Sequence, residues 1–109
     1  MNGHPGLTAE RWHTRTLFEQ LGNVGSEVGR AIRAKEQASD RFEGAFIRAL
    51  DLLDLTLSDA RWHGHRGREI ARAREVTCDF LAGDNEYGST GESLDAWFRA
   101  YGMAARRGR

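Results

Sequence analysis

The chain has 109 residues, 39% hydrophobic and 29% charged, with sixteen Lys and Arg balancing sixteen Asp and Glu. That length makes one domain able to bury roughly 60–70% of the surface of its unfolded chain. Zero net charge excludes a general polyanion binder, and a lone cysteine, Cys78, excludes internal disulfides and thiolate metal clusters. No apolar run is long enough to span a bilayer, and Met1 to Gly6 lack the cationic and apolar regions of a signal peptide, so the expectation is no membrane partner and a cytoplasmic location.

Proline occurs only at position 5, and helix formers dominate the rest, which predicts an all-α chain. From Thr8, as N-cap, to Gln37, the residues Leu17, Leu21, Val24, Val28 and Ile32 recur every three or four positions and mark one face of helix 1. At about 1.5 Å per residue that helix spans roughly 45 Å, longer than its partners. It therefore overhangs or breaks, and Gly22-Asn23-Val24-Gly25-Ser26 is the expected break. Helix 2 covers about Ser39 to Ser58, with Phe42, Ala45, Phe46, Ala49, Leu50, Leu53 and Leu57 as its stripe and Asp51 and Asp54 opposite. Helix 3 covers about Arg66 to Ala82, with Ile70, Ala73, Thr77, Phe80 and Leu81 inward and Gly83 as a left-handed cap. Asp84 to Gly88 form a loop in which Tyr87 anchors onto the core. Ser89-Thr90-Gly91-Glu92 has capping-box spacing and opens helix 4, whose stripe is Leu94, Trp97, Phe98, Tyr101 and Ala105. The expected architecture is an all-α, antiparallel four-helix bundle with a long N-terminal helix. Residues 1–7 are expected as a flexible N-terminus, 8–105 as a single four-helix domain and 106–109 as a basic C-terminal tail.

Gly22, Gly25 and Gly29 share one face of helix 1, bordering its apolar stripe. Three readings remain open: close packing within the chain, a self-association surface, or contact with a ligand. Trp12 lies away from the stripe if helix 1 is continuous and would then be an exposed contact residue. If the N-terminal turn is irregular, it folds onto the bundle instead. Arg-Trp-His occurs twice, at 11–13 and 61–63, too short to count as a repeat.

The segment from Arg61 to Arg74 is locally basic, whereas Glu75 to Asp95 carries only acids. Helix 3 is thus charged against its own dipole. Ion pairing with the acidic face of helix 2, head-to-tail assembly, or phosphate binding with Trp62 stacking on a base would each favour that arrangement. On the last reading Arg61, Trp62, His63, Arg66, Arg68 and Arg72 bind nucleic acid. Arg68, Arg72, Glu75 and Asp79 share one helical face, which reads first as a solvated ladder of ion pairs. A divalent-metal site from Asp51, Asp54, Glu75 and Asp79 disagrees in spacing with the Glu-x-x-Glu and Glu-x-x-Asp pattern of helical nucleotide pyrophosphatases. His63-x-His65 with Asp59 lacks a third firm ligand. Glu10-x-x-His13 is one pair where a di-iron bundle needs two. Cys78 beside Asp79 is a poor nucleophile. No metal or other cofactor is expected, and no catalytic motif is complete.

In size and helix content the chain resembles helical-bundle ribonucleases of the HEPN class. Their Arg is followed by His after four to six intervening residues, whereas Arg61 precedes His63 and His65 with one and three intervening residues, so any kinship implied is of fold alone. The runs Trp12 to Val28 and Gly83 to Thr90 resemble a family of short, uncharacterised bacterial and archaeal helical proteins. That resemblance implies a small cytoplasmic prokaryotic helical bundle and carries no catalytic residues. The function expected is a non-enzymatic interaction module, a homo-oligomer and first of all a dimer, assembled through Trp12, Gly22, Gly25 and Gly29. The alternative is a small subunit binding RNA or single-stranded DNA through the Arg61–Arg74 segment.

Overall fold

A computed structural model describes residues 8–107. These hold five α-helices, α1 (Ala9–Trp12), α2 (Leu17–Glu36), α3 (Phe42–Leu57), α4 (His65–Ala82) and α5 (Gly91–Arg107), with a 3-10 turn at Ala60–Trp62. No strand occurs among the described residues, and the four longer helices pack together. The expected flexible segment 1–7 and the last two residues of the expected tail lie outside the described residues. Arg106 and Arg107 are the final turn of α5 rather than a separate tail.

The predicted first helix is two. Thr8 caps α1 as expected, its hydroxyl accepting from the Arg11 amide, but the chain leaves the helix at His13 and starts again after Thr16. There the Thr16 hydroxyl accepts from the Glu19 amide at 3.1 Å while the Glu19 carboxylate accepts from the Thr16 amide at 2.9 Å. This reciprocal cap satisfies two amides that a helix end otherwise leaves open. The expected break at Gly22–Ser26 does not occur, because α2 runs unbroken through all three glycines.

Helix α2 is the centre of the molecule. It packs against α3 on one side and α5 on the other, α4 lies mainly on α3, and α4 and α5 barely touch although they are consecutive. Leu21, Val24, Val28 and Ala31 of α2 are fully enclosed, with Ala49 and Leu53 of α3 and Ile70 of α4. Each large aliphatic side chain so enclosed contributes about 1.5–3 kcal/mol. The approach of α5 is close. A side chain at Gly25 would stand 3.2 Å from Phe98 Cβ, and one at Gly91 would stand 2.9 Å from Ile32 Cγ2.

The connections are set by specific polar contacts. At the α2–α3 turn the Ser39 amide donates to Ala34 O and the Ala38 amide to Lys35 O, a Schellman arrangement. Its left-handed position is held by an alanine, Ala38, at φ +51°. Lys35, the one lysine in the chain, donates from Nζ to Phe80 O and Leu81 O at 2.9 Å each, satisfying the carbonyl end of α4. Gly83 is extended, not left-handed as expected; Asn85 takes that conformation at φ +53°. The loop is tied down by Asp79, whose carboxylate accepts from the amides of Glu86 at 2.8 Å and Tyr87 at 3.0 Å. Asp79 therefore leaves the expected ion-pair ladder. Tyr87 is 50% exposed instead of anchored on the core. The cap of α5 is Thr90 with Ser93, each accepting from the other's amide at 2.9 Å. It lies one residue beyond the predicted pair because the Ser93 hydroxyl replaces the Glu92 carboxylate.

Candidate functional site

The two Arg-Trp-His stretches meet at one end of the α2–α3 pair, and Gln20 joins them. Its Nε2 donates to Trp12 O at 3.0 Å and to Asp59 Oδ2 at 3.1 Å, and its Oε1 accepts from Trp62 Nε1 at 2.7 Å. Trp12 Nε1 donates to Thr56 Oγ1 at 2.9 Å, which in turn donates to Leu52 O. Gln20, Thr56, Trp12 and Asp59 are all buried. Burial raises the Asp59 carboxyl, but the hydrogen bonds and charge of Arg61 and the Gln20 amide outweigh it and bring it to about 2. Gly67 makes the fold of this corner compatible with α4, since a side chain there would meet Trp62 O at 2.7 Å.

This knot reassigns several predicted site residues. Trp12 is 2% exposed, so the expectation of an exposed contact residue fails; the chain bends at 13–16 and lays the indole on the core. Arg61 is bound to Asp59 at 2.7 Å and to Arg15 O at 2.6 Å. Trp62 is half-buried, hydrogen-bonded to Gln20, and carries the guanidinium groups of Arg61 and Arg66 at 4.5 and 5.7 Å from its ring centroid. Its ring is therefore engaged within the chain. His63 and Arg68 are exposed. Arg72 sits 5.8 Å from the ring centroid of Tyr87, on the rim of a groove of about 250 Å³ between α4 and α5 floored by Ala73, Val76, Leu94 and Trp97. Of the basic segment, Arg74 pairs with Asp54 of α3 at 2.8 Å, an instance of the expected pairing with the acidic side of the second long helix. Those uses of Asp54 and Asp79 scatter the four acids weighed as a metal site. Among the described residues no three His, Cys, Asp or Glu converge on one point. Burial pushes the Cys78 thiol up, Arg74 opposing and Asp54 reinforcing it.

The glycine face divides. Gly25 and Gly29 turn to α5, where Phe98 and Asp95 lie against them. Gly22 is exposed, and a side chain there would have nothing within 4 Å. Beside it an open groove of about 240 Å³ is lined by Leu21, Gly22, Gly25, Ser26, Asp95, Phe98 and Arg99.

A third feature had no counterpart in the sequence reading. At the far end of the α2–α3 pair, a cleft of about 280 Å³ is lined by Arg30, Arg33, Arg41 and Arg48 with Gln37 and Ser39. Glu27, 8% exposed, accepts from Arg30 at 2.9 Å and from Arg48 at 3.3 Å. Among the described residues no carboxylate lies within ion-pairing distance of Arg33 or Arg41. The available signal was the spacing of Arg30, Arg33 and Gln37 along one side of α2, with Arg41, Arg48 and a short turn following.

No known protein family, curated protein or solved structure matches this chain.

Proposed function

We propose that the protein is a non-enzymatic assembly module, an antiparallel four-helix bundle that forms a dimer through the α2–α5 surface around Gly22. The antiparallel reading is supported by the order of contacts. Glu27 of α2 meets Arg48 of α3, and Gly25, Gly29 and Ile32 meet Phe98, Asp95 and Gly91 of α5 in descending order. The observation that carries the assembly reading is the open groove beside Gly22, floored by Leu21 and Phe98, with Asp95 and Arg99 on its α5 edge. Small residues there admit a second helix closely. Two-fold pairing sets Asp95 of one copy against Arg99 of the other, as a self-complementary interface requires.

Light scattering behind size-exclusion chromatography tests it. Gly22→Leu has room in the monomer, removes a helix-weakening glycine, and should convert dimer to monomer while raising the melting temperature. Gly25→Leu is a poor probe, because it collides with Phe98 inside the chain. Asp95→Arg and Arg99→Asp should each dissociate the dimer and together restore it. A wild-type mass of about 12 kDa, that of one chain, at micromolar concentration overturns the reading.

A further inference from the structure

We infer that the arginine-lined cleft at the α2–α3 turn binds an oligophosphate, the diphosphate or triphosphate group of a small molecule. The cleft shares no lining residue with the groove beside Gly22, so the inference is independent of the assembly reading.

Four arginines line the cleft, Arg30, Arg41 and Arg48 with no competing carboxylate beyond Glu27 among the described residues and Arg33 by its stem, which leaves an excess of about two positive charges. That excess suits a ligand with several negative charges in a small volume. A carboxylate carries one, a monophosphate at most about two, and a diphosphate or triphosphate three or four. Glu27 also orients the cations. A buried carboxylate holding Arg30 from its own helix and Arg48 from the next fixes both guanidinium groups at one wall and uses only part of their donor sets, leaving N–H groups for bidentate contact with phosphate oxygens. Gly44 contributes room. Arg48 NH1 lies 3.2 Å from where a side chain at Gly44 would begin, so the guanidinium rests close on α3 and any other residue there would shift it by a few tenths of an ångström.

Neutral donors complete the wall. The Ser39 hydroxyl accepts from the Arg41 amide at 3.1 Å, and its own proton is left to give; Gln37 adds an amide. Among the described residues the Arg41 guanidinium pairs with no carboxylate, and it can close over a bound anion. Arg33 lends its stem to the wall while its guanidinium lies over Gly29, near Asp95. Asp40 and Glu43 flank Arg41 in sequence but line no part of the cleft. The volume, about 280 Å³, falls at the lower end of small-molecule sites and fits a phosphate chain better than a polymer.

Isothermal titration at low salt with inorganic pyrophosphate, tripolyphosphate and ADP tests the site. Saturable binding of one ligand per chain is expected. Equal affinity for pyrophosphate and ADP shows that the phosphates alone are read, and tighter ADP shows that the natural ligand is nucleotide-borne; both support the assignment. Arg41→Ala and Arg48→Lys should each weaken binding about tenfold, the cost of one charge-assisted contact. Arg68→Ala, on an exposed part of α4, should not, with circular dichroism confirming the fold of all three. Sulfate binding as tightly as pyrophosphate at equal ionic strength, an unaltered affinity in both cleft variants, or displacement of pyrophosphate by a single-stranded oligonucleotide at matched phosphate concentration each overturns it.

Discussion

Two buried carboxylates, Asp59 at one end of the α2–α3 pair and Glu27 near its middle, are both bound by arginine and do opposite things. Asp59 meets one arginine, Arg61, and adds Gln20 and the Arg61 amide, so charge and hydrogen bonds close on themselves. Glu27 meets two arginines, Arg30 and Arg48, so charge is left over at a cleft that both of them line together with Arg41. The residue types are the same. What separates a structural ion pair from a charged cleft is the ratio of cations to anions and whether the remaining donors find partners inside the chain.

The contrast can be tested at several strengths. Asp59→Ala should cost the most, about 2–3 kcal/mol in urea unfolding, because it leaves a Gln20 donor unsatisfied at a fully buried position and removes the acceptor of the Arg61 side chain and amide. A loss below 1 kcal/mol would show that the knot is not closed. Acid titration reads the same group: its folded value of about 2 lies below the 3.8 of an ordinary carboxyl, so its contribution is complete above that ordinary value and disappears as pH falls through about 2. That contribution is about 2 kcal/mol, and the acid slope should flatten by that much in Asp59→Asn. Glu27→Gln should cost less, about 1–2 kcal/mol, since the amide oxygen still accepts from one arginine and both arginines reach solvent, and added pyrophosphate should recover part of the loss if the cleft takes phosphate. A cost matching that of Asp59→Ala would erase the distinction. The smallest effect has the opposite sign. Ala38→Gly at the turn beside the cleft should stabilise the protein by about 1 kcal/mol, visible as a raised melting temperature, because glycine adopts φ +51° without the strain alanine bears.

Helices α3 and α4 were legible almost to their ends, predicted at 39–58 and 66–82 and found as Phe42–Leu57 and His65–Ala82. Their apolar residues recur at helical spacing and glycines or polar residues bound them. The break before α2 was missed, although Thr16-Leu17-Phe18-Glu19 has capping-box spacing. It was hidden by the regular apolar spacing that follows, which says nothing about where a helix begins. The burial of Trp12 depends on that break, and so could not be seen without it. The doubled Arg-Trp-His proved to be two strands of one knot, brought together by Gln20, a residue with no pattern around it. Counting charges along the chain picked the dense run 61–74. Its arginines are partly spent on acids and carbonyls distant in sequence. The cleft uses Arg30, Arg33, Arg41 and Arg48, each set among acids and apolar residues in the chain and joined only when the Schellman turn folds α3 back on α2.

The connectivity, in which α5 passes over its predecessor to reach α2, has a kinetic consequence. The α2–α3 pair closes a short loop and can form early, whereas the α2–α5 contact joins segments some seventy positions apart, Gly25 to Phe98, and must wait on a costlier closure. Helix α4, held chiefly by α3 and by the Lys35 amine at its last turn, is the element that can detach while the rest stays intact. Amide exchange should therefore be slowest in the middle of α2 and fastest, among the long helices, on the solvent side of α4, so that the one lysine in the chain works as the latch of its least stable part.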